Sequence, residues 1–215
     1  MPNSGITTGT PTKLPFGAGV YFQGVTYSET VAPTAEAIKA AIIGATQDGG
    51  TLTITPELFA PELDGATVAI KEIQQKVGET AQMEVSIAEL TAELAAHLAI
   101  GKITATTDGS YDVVTSSELR AGHFYDGFGY YGKFTDGRPI IIIFKHALCT
   151  SGFATDPKNK TNSVFKGTFA CHSDIEYGTT KLPYAIFIRK ASGWTSVTPD
   201  EITETSDASL KKKGM

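Results

Sequence analysis

The chain has 215 residues, a length that suits one domain with a sizeable core. Charged residues make up 19% and the formal net charge is −5, which argues against a basic groove that grips nucleic acid. The sequence is rich in threonine, with 29 residues, and in glycine, with 22. Because threonine favours strands and glycine favours turns, this composition indicates a mainly β protein.

Neither the cysteines nor the apolar segments indicate export or membrane insertion. Cys149 and Cys171 are too few for a disulfide framework, so we expect a reducing compartment. The first 15 residues lack the charged and apolar regions of a signal peptide. In the strand-rich half, the longest apolar run covers residues 139–144, far less than a membrane helix needs. We therefore expect a soluble protein, made in a cytoplasm and without membrane contact.

The two ends of the chain differ in composition from the middle. Residues 1–17 are rich in Thr, Pro and Gly and are predicted to form an extended arm. Residues 195–215 run into Lys211–Lys213 and are predicted to be a flexible tail. The folded domain is expected to cover residues 18–194.

In the first half of the chain, short strands and one short helix are expected. The helix, at 35–43, is Ala-rich, follows Pro33-Thr34 and is ended by Gly44. Strands are predicted at residues 19–23, 51–55 and 82–87.

A second helix is predicted at about 90–100. Leu90, Leu94 and Leu98 recur every four residues, which predicts an apolar stripe that packs on a sheet. Thr91 is the expected N-cap and Gly101 the expected C-terminal stop.

Two hairpins are marked by Asp-Gly turns, which tolerate positive φ. Asp108-Gly109 separates residues 102–106 from 111–114, and Asp136-Gly137 separates 129–134 from 138–144. The run Ile140–Phe144 is too short and too β-branched for a helix. It predicts a strand that is buried on both faces.

The clearest alternation of the chain covers residues 164–177. It places Phe165, Phe169, Cys171 and Ile175 on one face, expected to meet the core. Lys166, Thr168, His172, Asp174 and Glu176 fall on the other face, expected to be polar. A last strand is predicted at 184–189. Together the elements predict a mainly β fold: a β-sandwich or half-barrel of two packed antiparallel sheets with a flanking helix.

One glycine pattern imitates a phosphate-binding loop. Gly127, Gly129 and Gly132 match G-x-G-x-x-G, but a dinucleotide site needs a helix after the loop, and here a hairpin follows. A kinase-type loop would need later H-R-D and D-F-G motifs, which the sequence lacks. The interpretation that we favour is a strand in which Gly and Tyr pack against neighbours.

No catalytic, cofactor-binding or metal-binding residue is assigned. His172, Asp174 and Glu176 could form a metal or acid–base site on one strand face, but one strand supplies too few converging ligands, and a solvated polar face is favoured. His97 is interpreted as a buried or boundary residue, whereas His123 and His146 are isolated in the sequence. We therefore predict a protein that is not an enzyme and uses no cofactor.

The order of these features resembles the major tail tube proteins of long-tailed bacteriophages. The opening Leu14-Pro15-Phe16-Gly17-Ala18-Gly19-Val20 is similar to the start of that family, and Gly44-Ala45-Thr46-Gln47-Asp48-Gly49-Gly50 resembles a turn that precedes its next strand. Further similarities are Leu63-Asp64-Gly65 in a long segment, the Leu-rich segment 89–94, Phe165-Lys166-Gly167-Thr168-Phe169, and Leu182-Pro183 before the last strand. The resemblance spans residues 14–190.

The resemblance implies a structural virion protein that forms stacked rings, usually hexamers, around a channel for DNA. Its partners would be copies of itself, the tail terminator, tape measure and baseplate proteins, and DNA that passes without specific binding. It would be located in the virion tail after assembly in the host cytoplasm. Since the protein is acidic, its channel is expected to repel DNA phosphates.

The resemblance also implies two sets of site residues. Candidates for the channel lining are Lys166, Thr168, His172, Asp174 and Glu176. The loop 56–80 would contact neighbouring subunits or rings through Pro56, Phe59, Leu63, Asp64, Ile73 and Lys76.

Two other functions remain open at this point. The first is another virion protein on a similar β-sandwich, such as a tail terminator, decoration or adhesin domain. The second is a small enzyme or carbohydrate-binding domain, which should have converging carboxylates or exposed aromatic residues in a cleft.

Overall fold

A computed structural model gives the fold and describes residues 15–61, 68, 70–155, 163–178 and 180–190. The strands are β1 Pro15–Phe22, β2 Thr51–Phe59, β3 Gln75–Ile87, β4 Gly101–Ala105, β5 Asp112–Ser116, β6 Tyr125–Phe134, β7 Pro139–Cys149, β8 Ala154–Thr155, β9 Phe165–His172 and β10 Tyr184–Ile188. The α-helices are α1 Ala35–Ala40 and α2 Ala92–Ala99, and single turns of 3-10 helix cover Lys71–Ile73 and Ala121–His123.

The predicted fold class is confirmed. The fold is mainly β, with a large curled antiparallel sheet, a small second sheet formed by β4 and β5, and two helices. The large sheet has the order β1-β6-β7-β9-β3-β2. Strand β7 divides it, because residues 140–144 pair with β10 whereas residues 146–149 pair with β9. This fork lets the sheet curl into a half-barrel.

The isoleucine run of β7 lies between two clusters of the core, as its composition predicts. Ile142 and Phe144 belong to the larger cluster, which fills the inside of the curl together with Phe128 and Phe169. Ile141 and Ile143 belong to the smaller cluster on the other side, beneath α1. The strand is therefore buried on both faces.

Helix α2 begins as the sequence predicts and ends differently. Thr91 Oγ1 accepts a hydrogen bond from the Leu94 N–H at 3.1 Å and caps the N-terminus. At the other end Ile100, not Gly101, adopts the left-handed conformation, with φ of 51°. Gly101 instead starts β4, where a Cβ atom would lie 2.6 Å from the Val114 side chain. The glycine is thus required by strand packing and not by the helix stop.

Both predicted Asp-Gly hairpins are confirmed, because β4 pairs with β5 and β6 pairs with β7.

Helix α1 is shorter than predicted. Thr34 caps α1 through the Ala37 N–H, and the helix ends at Ala40 because the chain then turns to bond with the β1 end. The Gln23 N–H donates to the Ala41 carbonyl, and the Ile43 N–H donates to the Tyr21 carbonyl.

The first correction concerns the loop predicted at residues 56–80. Strand β2 continues through Pro56 to Phe59 and pairs with β3, which begins at Gln75. A proline is tolerated in an edge strand because its missing N–H faces no partner. The segment is therefore largely a β-hairpin, and only the residues between Phe59 and Gln75 connect the strands.

The second correction concerns the alternation of residues 164–177. It is confirmed as far as His172, with Gly167, Phe169 and Cys171 buried. Asp174 and Glu176 do not continue this face, because the chain leaves the sheet and residues 175–177 form a turn. Ile175, predicted to face the core, is 93% exposed.

Some predictions fall outside the described residues. These are most of the arm at 1–17, the tail at 195–215, Leu63 and Asp64. The three glycines of the 127–132 pattern lie within β6.

Candidate assembly surfaces

The end of the β2–β3 hairpin projects from the core and carries exposed apolar side chains. Leu58, Phe59 and Val77 are 60%, 54% and 57% exposed, and we call these three residues the hairpin end. Residues 55–59 and 74–77 are all exposed, so neither face of the ribbon is covered here. A two-stranded ribbon with no packed face is marginally stable in water, and exposed apolar residues on it mark a contact surface.

Strand β2 is also a sheet edge. Within the described chain it hydrogen-bonds only to β3, so its outer backbone groups are available over nine residues. Open edges of this length invite pairing with another chain. Pro56 interrupts the edge near the hairpin end, which limits the pairing there.

The outer face of the sheet next to this edge is polar and rich in hydroxyl groups. Cross-strand partners share a face, so the pairs Thr51–Glu84 and Thr53–Gln82 of β2 and β3 lie side by side. Glu84 is in turn the partner of Thr168 in β9. The opposite face carries Leu52, Met83 and Phe169, which belong to the core.

Three of the five predicted lining residues lie on this polar face. Lys166, Thr168 and His172 project from β9 on the side of Glu84, whereas Asp174 and Glu176 belong to the turn beyond the strand. Of the predicted contact residues, Pro56, Phe59 and Lys76 lie in the hairpin and Ile73 in the adjoining 3-10 turn. Sequence reasoning missed Leu58 and Val77, which are exposed because no other described segment packs on the hairpin here.

A cavity of about 790 Å³ opens inside the curl, between β1 and the start of β2. Its apolar lining includes Tyr21, Leu52, Met83, Tyr130, Ile140 and Ile142. The backbone of residues 46–51 forms one wall, and the exposed Lys133 lies at the opening. The Tyr21 hydroxyl donates to the Glu84 carbonyl at 3.3 Å and so links β1 to β3. The bond spans the gap between β1 and β2, which strand pairing would close in a complete barrel. No sequence pattern identifies this cavity.

A charged cluster joins β6, β7 and the turn after β9. His146 is isolated in the sequence, yet its ring lies between two carboxylates, with Nδ1 2.6 Å from Asp126 Oδ1 and Nε2 2.8 Å from Asp174 Oδ2. Lys145 Nζ also donates to Asp174 at 2.6 Å. This hydrogen bond, together with those from the Tyr177 N–H and His146, holds the pKa of Asp174 well below its usual range.

This cluster orients the turn after β9. Its two carboxylates bind opposite sides of one imidazole ring, so they do not converge on a common point. In the described residues, no group of three or more His, Cys, Asp or Glu side chains is arranged to hold a metal ion. The adjoining Tyr177 hydroxyl donates to Glu29, which Lys181 also contacts at 3.0 Å, so the loop is tied to the chain after β1.

His97 and His123 have packing roles. His97 stacks on Tyr125 with ring centroids 3.8 Å apart, and burial lowers its pKa. His123 Nδ1 accepts from the Arg120 N–H at 2.9 Å, so Nε2 carries the proton and can donate to the Gly101 carbonyl at 3.2 Å. These bonds fix the 3-10 turn against β4.

No protein-family model matches this chain, and no curated protein matches its sequence. In the described part of the chain, neither helix is long and apolar enough to cross a membrane.

Proposed function

We propose that this chain is a structural protein that assembles with copies of itself into rings, and that the stacked rings form the tail tube of a long-tailed bacteriophage. The observation that carries the proposal is the β2–β3 hairpin. It extends past the core with both faces uncovered and presents Leu58, Phe59 and Val77 to solvent. A second copy of the chain would cover them.

The open edge of β2 supports the same proposal. A ring in which each subunit contacts the next leaves no free edge, and this removes the aggregation hazard of an exposed strand. Lateral contacts through β2 and axial contacts through the hairpin end would together give a tube.

The polar sheet face suits a channel through which DNA passes. Its hydroxyl and amide groups are neutral, and Glu84 and Lys166 oppose each other in sign, so the face carries no basic stripe. Phosphate binding requires clustered Lys and Arg, and an acidic or neutral lining keeps friction low during ejection. In this proposal Lys166, Thr168 and His172 line the channel.

Negative-stain electron microscopy of the concentrated full chain tests the proposal. We expect rings or hollow tubes of uniform diameter for the unchanged protein and for Tyr111→Asp, and loss of both for Phe59→Asp. Tyr111 is the matched control because it is an aromatic residue, 72% exposed, in the β4–β5 hairpin. A protein that stays monomeric or dimeric at high concentration would overturn the proposal in favour of a decoration, terminator or adhesin domain.

A further inference from the structure

The hairpin end and the cavity lie at opposite ends of the same strand. Thr51 and Leu52 at the start of β2 line the cavity, whereas Leu58 and Phe59 finish the strand. At roughly 3.3 Å per residue, the eight steps from Thr51 to Phe59 place the two features about 26 Å apart. The hairpin end therefore lies too far away to reach the cavity of its own chain.

The two features match in chemistry. The hairpin end offers three apolar side chains, among them one aromatic ring, and the cavity offers an apolar and aromatic lining with a volume of about 790 Å³. A pocket of this size is large enough for a drug-sized group, so it accommodates two or three side chains. The apolar surface that the hairpin end and the half-buried lining residues still expose would leave water on contact, which is favourable in proportion to the apolar area buried.

Their charges also match. Glu57 precedes the hairpin end, and Lys133 lies at the opening of the cavity. Neither has an ion-pair partner among the described residues. Opposite charges at the rim of a contact orient the two chains and exclude wrong registers.

We infer that the hairpin end of one copy occupies the cavity of the next copy, with Glu57 facing Lys133 of that neighbour. This inference rests on the proposed self-assembly and names its axial contact. Because the two surfaces differ, the contact is heterologous and runs head to tail. Each copy then offers one hairpin end and one cavity, so the association continues along the β2 direction as a stack.

Single cysteine variants test the pairing, since Cys149 and Cys171 are buried and are not expected to react. Phe59→Cys and Leu52→Cys chains are mixed before assembly, because Leu52 lies on the cavity side of β2, and the assembly is then mildly oxidised and run on a non-reducing gel. We expect a covalent dimer only in the mixture and a ladder from the Phe59→Cys, Leu52→Cys double variant. A dimer from Phe59→Cys alone would indicate contact between two hairpin ends and overturn the inference.

Charge reversal gives a second readout that does not depend on cysteine chemistry. Glu57→Lys and Lys133→Glu should each lower the amount of sedimenting assembly at least tenfold, and the double variant should restore most of it. Circular dichroism shows whether each variant is folded. If tubes form in micrographs while neither cross-link nor rescue occurs, the axial contact is wrong and the proposed function stands; if no assembly forms at all, the proposed function fails first.

Discussion

Gly127 provides a sharp test of how closely β6 packs against the chain after β1. Its φ is 58°, and a Cβ atom built on it would lie 1.6 Å from the Val25 carbonyl oxygen. The neighbouring backbone is held there, since the Gly24 N–H donates to the Asp126 carbonyl at 2.7 Å. A side chain at position 127 therefore meets backbone that has little freedom to move.

We expect Gly127→Ala to lower the free energy of unfolding by about 2–5 kcal/mol. The left-handed conformation costs an alanine about 1–2 kcal/mol, and the backbone shift that relieves overpacking costs about 1–3 kcal/mol. Gly109 is the matched control, because its φ is 69° and a Cβ atom there would meet nothing within 4 Å. Gly109→Ala should therefore show only the conformational cost.

Urea or guanidinium unfolding of the two variants measures the difference, which should be about 1–3 kcal/mol. In thermal unfolding each kcal/mol should correspond to roughly 2–4 °C for a domain of this size. Equal losses for the two variants would refute the reasoning, because they would mean that the Val25 backbone gives way without cost.

Three further predictions concern the core and two titrating groups. Phe128→Ala should cost about 3–5 kcal/mol, measured by denaturant unfolding, because this fully buried ring packs 4.5 Å from the Phe169 centroid. Hydrogen bonds from Thr106 and then Ser110 lower the pKa of Asp108 to about 2. Its contribution to stability should therefore be complete above about pH 4 and be lost as pH falls through 2, which NMR titration and an Asp108→Asn control would follow. Burial raises the pKa of Tyr21 to about 12, so stability should fall as pH rises from 10 towards 12, and Tyr21→Phe should flatten that part of an unfolding-versus-pH curve.

The elements that the sequence predicted correctly depend on short-range signals. Asp108-Gly109 fixes the turn between β4 and β5 from within four residues, and Thr91 caps α2 through the Leu94 N–H three residues later. The Ile140–Phe144 run predicts a doubly buried strand because five apolar β-formers leave no polar face, and the strand is buried on both faces.

The predictions that failed depend on contacts distant in the sequence. In the sequence, the alternation of polar and apolar residues in β9 continues to Glu176. In the structure, the Asp174 carboxylate accepts hydrogen bonds from Lys145 and from the Tyr177 N–H, and these bonds turn the chain out of the sheet. The predicted strand 51–55 stops before Pro56, whereas the observed β2 continues to Phe59. Only the sheet order, which places β2 at the edge, explains why the strand continues.

The exposure of the hairpin end cannot be predicted from residue type for the same reason. Phe59 and Phe169 are both phenylalanines in strands, yet the first is 54% exposed and the second 1% exposed. The difference lies in the neighbours: β9 has strands on both sides and the core beneath, whereas among the described strands the end of β2 pairs with β3 alone. A side chain that contributes nothing to the packed core should be dispensable for folding. We therefore expect Phe59→Asp to change the free energy of unfolding by no more than about 0.5 kcal/mol while it abolishes assembly. A large loss of stability in the monomer would assign Phe59 to the fold and remove it from the interface.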